Sequence, residues 1–395
     1  MSKYDFKSLK EAILFNTVEV LPTNQEQLDQ EIQTLVDLAN SSGQKIRHYI
    51  GYEISGRLHF ANNTYQMLKI AKLQQAGVKC SVFLADYHTW INRKLDGKLE
   101  TIEKVAREYF IPVMKIALKN CGGKPEELDF ISAKTEYALV KDGLTFWDYE
   151  LKVGQNITLN RIMRSLSIAG KEASEGTDYT LTRYPGMQAC DVFWMQTHLC
   201  QGGIDQRKIY VSTRDIADKL DLDIALKLGN KVVKPVAMFS KLLLGMEAPK
   251  KATQNLNQQE VSKMSKSKPD GAIFEHDDLE TIKTKLKKAY CPMVDSNLSL
   301  QENEQIQSAN PILNWCENLI YPAGRKIVLV RPEKFGGNKE YVSFEDLKND
   351  YLNNLIHPLD LKNAVAENLA NWFEPIKVWA DQNSEVLNFV KSLRK

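Results

Sequence analysis

Residues Arg47–Asp86 read RHYIGYEISGRLHFANNTYQMLKIAKLQQAGVKCSVFLAD. The opening HYIGYEI has strand character, and Ser55-Gly56 follows it as a turn. Apolar residues then recur at helical spacing, from about Asn62 through Tyr65, Leu68, Ala71 and Leu73, and Gly77 closes the helix as a C-cap. The final VKCSVFLAD is almost continuously apolar, the pattern of a strand covered on both faces of a parallel sheet. Strand, helix and strand in so short a span make one βαβ unit and predict a doubly wound α/β domain.

Composition sets the bounds around that unit. At about 150 residues per domain, 395 residues leave room for two or three domains. Lys and Arg number 52 against 50 Asp and Glu, a net charge of +2, with 43% hydrophobic and 26% charged residues. These values fit a globular chain and exclude disordered and collagenous classes. No apolar run reaches about 18 residues, which excludes a membrane-spanning helix. The N-terminal MSKYDFKSLK lacks the apolar core of a secretory signal, so a cytoplasmic protein is expected. Cys80, Cys121, Cys190, Cys200, Cys291 and Cys316 are scattered without C-x-x-C or zinc spacing, and are expected as reduced, buried thiols with no metal site.

Farther along the chain, Thr101–Thr182 reads as mostly helical and polar. Helical MQACDVFWMQTHL (187–199) follows, then a Gly202-Gly203 break and DQRKIYVSTRDIADKL (205–220). Lys234–Gln259 is poorly patterned and is expected to be a surface loop. Beyond Tyr290-Cys291-Pro292, short helical patterns are broken by Pro311, Pro322, Pro332, Pro358 and Pro375. The expected organisation is a helical N-terminal extension (1–40), an α/β domain (41–295) and a smaller α-helical domain (296–395). Lys283, Lys285, Lys287 and Lys288 lie opposite Leu279, Ile282, Leu286 and Ala289, which predicts an amphipathic helix with a cationic outer face. Further basic clusters are Arg325, Lys326, Arg331, Lys334 and Lys339, and Lys391, Arg394 and Lys395. Solvated helix faces and a frayed tail are the ordinary alternative for each.

The sharpest chemical signal is Lys263-Met264-Ser265-Lys266-Ser267. Two ammonium groups three residues apart on a Ser-rich loop suit charge building on a pyrophosphate leaving group. This string resembles the KMSKS signature of class I aminoacyl-tRNA synthetases. The partner signature of that class, His-x-Gly-His after the first strand, is matched here by His59, with Ala61 and Asn62 in place of the Gly and second His. The resemblance implies catalytic roles for His59, Asn62, Lys263 and Lys266. An Asn62 amide can donate to a phosphate oxygen, though without positive charge. A helix N-terminus beside it is expected to favour the triphosphate.

Three further strings resemble tyrosyl-tRNA synthetases of the archaeal and eukaryotic cytosolic type: Tyr49-Ile50-Gly51-Tyr52-Glu53, Tyr184 to Asp191 (YPGMQACD), and Gly202 to Lys208 (GGIDQRK). With RPEKFGG (331–337) and HPLDLKNAVAE (357–367), the resemblance covers most of residues 45–375. It implies a Rossmann-type catalytic domain with a helical anticodon-binding domain, and the activity of a tyrosine–tRNA ligase. Tyr49 and Asp191 would hold the substrate's phenolic hydroxyl, and Tyr184, Gln188 and Gln206 its α-ammonium group. Gly203 and Asp205 would approach the ribose of the adenylate, with His59, Lys263 and Lys266 on the ATP phosphates. Phe335 would stack on an anticodon base and Asp360 would accept from its edge. The implied partners are L-tyrosine, ATP, tRNA(Tyr) and a second copy of the chain, with Mg2+ arriving on ATP.

Each role has a bland competitor. Tyr49 and Tyr184 fit core packing, Gln188 and Gln206 fit a polar surface, and Asp360 just after Pro358 fits a helix N-terminus. A buried carboxylate at Asp191, however, requires a donor, and a phenol supplies one where phenylalanine does not. Two rivals stand beside the tyrosine reading: a tryptophan-specific relative on the same fold, and a catalytically dead paralogue acting as an RNA-binding or signalling module. Asp191 and the GGIDQRK string weigh against the first, His59 and both lysines against the second. The segment Ser240–Val261, with MEAPKKATQNLNQQE, exceeds the usual connection into KMSKS and has no assigned role.

Overall fold

The computed structural model describes residues 3–170, 178–249 and 271–393. The chain divides into two compact units, one of residues 1–56, 69–241 and 389–395, the other of residues 57–68 and 242–388.

The first unit is built on a six-stranded sheet. In chain order its elements include α1 (Phe6–Leu14), β1 (Thr17–Leu21), α2 (Gln25–Ser42) and β2 (Arg47–Tyr52). After helix α3 (Thr64–Gln75), whose first turn belongs to the other unit, come β3 (Lys79–Leu84) and β4 (Asp129–Ser132). Then follow α4 (Tyr179–Trp194), β5 (Leu199–Gly203), α5 (Arg207–Ile216) and β6 (Val236–Ser240). The strand order is β1-β6-β5-β2-β3-β4, parallel throughout except for the antiparallel edge strand β1. The chain runs outward from β2 through β3 to β4, then returns to the other side of β2 at β5. That reversal is a topological switch point, and in such sheets ligands bind beyond the carboxyl ends of the strands flanking it. Here those ends are Tyr52 and Gly203. The turn after β2 is made at Gly56, whose φ of +80° suits a residue without a Cβ.

The βαβ expectation holds, with the helix running over Thr64–Gln75. Two other expectations are corrected. The N-terminal extension is not purely helical, because Thr17–Leu21 pairs with β6 as the sheet's edge. Lys69 ties this segment down: its buried ammonium donates to the carbonyls of Ile13 and Phe15, at 2.6 and 2.7 Å, capping the exposed end of α1. Lys234–Gln259 is not simply a loop. Val236–Ser240 is fully buried as β6, and its apolar VAMF is too short to separate from loop patterning once Pro235 precedes it. The polar region Thr101–Thr182 is mostly helical, as expected, and also contributes β4, a strand of only four residues on the sheet's other edge. The compact units part between residues 241 and 242. Residues 250–270, including the unassigned insertion's polar part, lie outside the described residues.

The second unit is mainly helical, with α6 (Leu279–Lys288) and the long α7 (Pro358–Gln382), but it also holds an antiparallel pair, β7 (Ile327–Leu329) with β8 (Lys339–Tyr341). Its core gathers aromatics: Phe60 meets Trp315 edge-on at 5.0 Å and stacks on Phe373 at 6.1 Å. The cationic face of α6 is narrower than its sequence suggests. Lys285 turns inward to Asp277 at 2.5 Å and to the Ala272 carbonyl, and lies 5.0 Å above the Phe274 ring.

Candidate active site

Helix α4 places Tyr184, Gln188 and Asp191 at intervals of four and three residues, which puts them on one face. Strand β2 contributes Tyr49, and α5 contributes Tyr210. Asp191 is 1% exposed, and Tyr49 and Tyr210 are buried with it. The Tyr137 hydroxyl donates to Asp191 Oδ1 at 2.5 Å. Nε2 of His88 is 3.8 Å from Oδ2. Burial holds the His88 pKa down to about 3, so the ring is neutral and this approach is not an ion pair. Burial pushes the Asp191 carboxyl well above the usual range; the Tyr137 hydrogen bond opposes that shift, while Glu136 and Asp86 add to it.

The Tyr49 hydroxyl shares a hydrogen bond with Tyr210 at 2.9 Å. Its pKa is raised by burial first and by Tyr210, Cys200 and Asp191 after it. Tyr184 donates to Glu53 at 3.2 Å, and Glu53 also accepts from Asn92 at 2.7 Å. Gln188 donates to Gln206 at 3.0 Å. The five residues expected to grip an amino acid are therefore all present in the first unit, but they bond to neighbours: Tyr49 to Tyr210, Tyr184 to Glu53, and the two glutamines to each other. Gly203 ends β5, and a Cβ there would fall 2.5 Å from Asp205 Oδ1, so only glycine fits without displacing that carboxylate.

In the second unit, His59 is buried and forms an isolated β-bridge with Phe274. Asn62 Oδ1 accepts from the His59 backbone N–H at 2.8 Å, so its NH2 group is the end left to donate elsewhere. The sequence predicts a helix N-terminus open to phosphate, but the structure fills it. Glu275, 0% exposed, accepts from the Thr64 N–H at 2.8 Å, from the Thr64 hydroxyl, and from the Asn63 amide at 2.6 Å. A carboxylate at the first helical N–H answers the helix dipole, as an external anion would. Arg57 adds a second tie, its guanidinium 3.6 Å above the Phe274 ring. Lys263 and Lys266 lie outside the described residues, as do Arg394 and Lys395.

Phe335 is 61% exposed in a turn before Gly336, and Asp360 sits in the first turn of α7. Arg331 braces the region, donating to the carbonyls of Gly337 at 3.0 Å and Leu355 at 2.8 Å, with Asp360 Oδ2 at 4.0 Å. It belongs to this brace and not to a free basic cluster. Arg325, bonded to Asn368 at 2.9 Å, and Lys339, paired with Asp350, are likewise engaged locally.

Sequence reasoning missed Tyr137, His88, Glu53, Tyr210 and Glu275. Glu53 sits in the matched string Tyr49–Glu53 but was given no role there, and the other four lie outside the matched strings. The nearest signal was burial logic: a carboxylate expected inside the fold demands a donor, and Tyr137 is that donor.

Residues 41–374 match the family of class I tRNA synthetases (W and Y), and the chain belongs to that family. Its fold is that of the class I synthetases, a sheet parallel in the main with helices around it. Within the family the similarity is to tyrosine enzymes. The chain is 40% identical over 369 residues to the tyrosine–tRNA ligase of Thermococcus sibiricus, spanning 92% of this chain and 94% of that one. It is 38% identical over 373 residues to the tyrosine–tRNA ligase of Pyrococcus furiosus, with 92% and 95% covered. The tyrosyl-tRNA synthetase of Pyrococcus horikoshii, solved in complex with L-tyrosine, is similar with a TM-score of 0.85 and 37% identity over 98% of this chain and 100% of that one.

Proposed function

We propose that the chain is a tyrosine–tRNA ligase. It activates L-tyrosine with ATP to tyrosyl-adenylate and pyrophosphate, then transfers tyrosine to the 3′-terminal adenosine of tRNA(Tyr). The observation that carries this reading is Asp191, a carboxylate 1% exposed on the helix face that also bears Tyr184 and Gln188. A buried acid with one donor is costly, and a ligand phenol completes its hydrogen bonding.

In the first step an oxygen of the tyrosine carboxylate attacks the α-phosphorus of ATP, and the bond to the bridging oxygen breaks as pyrophosphate leaves. The nucleophile is already ionised at neutral pH, so the protein supplies position and charge neutralisation. Asp191 and Tyr49 hold the phenol, and Tyr184, Gln188 and Gln206 hold the ammonium group. Gly203 and Asp205 take the ribose, and His59, Asn62, Lys263 and Lys266 the phosphates. In the second step the terminal ribose hydroxyl attacks the acyl carbon, and AMP leaves.

Among the described residues, no three metal-ligating side chains cluster, so the chain offers no dedicated cage there. Mg2+ would arrive on the ATP phosphates, where it would offset their charge. Phe335 and Asp360 are assigned to the anticodon, where RNA readers stack exposed bases on aromatics and bond their edges. Among the described residues no helix is long and apolar enough to cross a membrane; a cytoplasmic homodimer is the state we assign by family likeness.

ATP–pyrophosphate exchange run separately with each of the twenty amino acids tests the reading. Exchange dependent on tyrosine alone is expected. Exchange supported by tryptophan, or by none, would overturn it.

A further inference from the structure

Tyr137 closes the short helix Ala133–Tyr137, buried in the first unit, and belongs to none of the strings that carry the family likeness. Its ring is clamped. Phe146 stacks on it at 3.5 Å and 13°, Tyr87 lies parallel at 5.7 Å, and Phe83 packs at 6.1 Å. A ring so held fixes where its hydroxyl points, and that hydroxyl lies 2.5 Å from Asp191 Oδ1. The other oxygen, Oδ2, faces His88 Nε2 at 3.8 Å, beyond hydrogen-bond reach. Among the described residues, neither nitrogen of the buried His88 ring has a hydrogen-bond partner.

We propose that Tyr137 is a positioning residue for amino-acid selection: its hydroxyl takes Oδ1 of Asp191 and leaves Oδ2 as the acceptor for the phenolic hydrogen of the substrate. This rests on the assignment of Asp191 to the substrate's phenol. A carboxylate free to turn about its Cβ–Cγ bond would present either oxygen, and a ligand would bear the cost of ordering it. The fixed phenol of Tyr137 meets that cost in advance. It also stabilises the ionised acid, the form in which both oxygens act only as acceptors. Several other groups face Asp191. His88 and Asp86 come from the helix Asp86–Ile91, Glu136 from the helix of Tyr137 itself, Tyr49 from β2, Tyr210 from α5, and Cys190 and Tyr184 from α4. Glu136 and Asp86 disfavour its charge, and His88 is neutral, so neither of those directions replaces the Tyr137 hydroxyl.

Tyr137→Phe keeps the clamped ring and removes only the donor. In ATP–pyrophosphate exchange the full-length Y137F protein should show a tyrosine KM about tenfold higher with kcat near the parent value, the size of a lost charge-assisted hydrogen bond. Phenylalanine's kcat/KM should not change, so tyrosine-over-phenylalanine selectivity should fall by the same factor. The acidic limb of kcat/KM for tyrosine should move to higher pH, because the acid loses the donor that favours its charge. Parent KM and pH profile in Y137F would overturn the proposal. So would an equal loss for tyrosine, phenylalanine and ATP together with a lowered Tm, which marks a purely structural role. A parent protein inactive with tyrosine would instead sink the function assignment itself, before any variant is compared.

Discussion

Asp191 in the first unit and Glu275 in the second are both buried acids, 1% and 0% exposed, and the contrast lies in their partners. Glu275 accepts from three donors, the Thr64 N–H, the Thr64 hydroxyl and the Asn63 amide, all within its own unit. Among the described residues Asp191 accepts from one donor, Tyr137, and holds its second oxygen 3.8 Å from a neutral imidazole. A fold that intends an acid as a fastener satisfies it; one that intends it for a ligand leaves capacity over. Burial alone does not separate the two cases, whereas counting donors does.

The comparison breaks most visibly on activity. Asp191→Asn should lower kcat/KM for tyrosine about a thousandfold, near 4 kcal/mol, since the phenolic hydrogen loses its buried carboxyl acceptor and a donor amide group takes up part of the site. Its unfolding midpoint in urea should stay close to the parent value. Glu275→Ala should behave in reverse. Three donors lose their partner, and the folded state should lose about 3 kcal/mol by urea unfolding, while tyrosine affinity is retained. A tyrosine Kd that moves as far in the Glu275 variant as in the Asp191 variant would erase the distinction.

Titration sharpens it. Burial raises the Glu275 pKa above its unfolded value, against the pull of Thr64 and Asn63. A raised carboxyl binds its proton more tightly when folded, so its contribution to stability is full below the unfolded pKa of about 4.3 and declines as pH rises through the folded value. Stability measured against pH should therefore show a downward component above about pH 4.3 that Glu275→Gln removes. Persistence of the slope in that variant would assign it to another group. The smallest effect expected is that of Tyr49→Phe. Loss of a neutral hydroxyl bonded to Tyr210 should raise the tyrosine KM about fivefold, with kcat little changed, as steady-state exchange kinetics would show.

Much of this was legible in the chain. A continuous apolar run and period-3.6 spacing identified β3 and α3, with strand character marking β2, because a doubly covered parallel strand is continuously apolar and its crossover helix is amphipathic. β6 escaped because VAMF is a short apolar run behind a proline, and such a run carries no period of its own. β4 escaped because Asp129–Ser132 is an edge strand with an exposed end. At the site, Gln188 and Asp191 fell within the helix expected over 187–199, while Tyr184 was named only through the family resemblance, and the helix of Tyr179–Trp194 puts all three on one face. Their neighbours Tyr137, His88 and Tyr210 come from other elements, and only folding brings those to Asp191 and Tyr49. Glu275 illustrates the same limit: 211 residues separate it from Thr64, so no local signal links an acid there to the first turn of α3.

The central claim is that Asp191 selects by accepting a phenolic hydrogen. The most direct test is the ratio of kcat/KM for tyrosine over phenylalanine in ATP–pyrophosphate exchange, measured for the parent protein and for Asp191→Asn. A large ratio in the parent should collapse in the variant, chiefly through loss of tyrosine activity. A ratio that survives the substitution unchanged would contradict it.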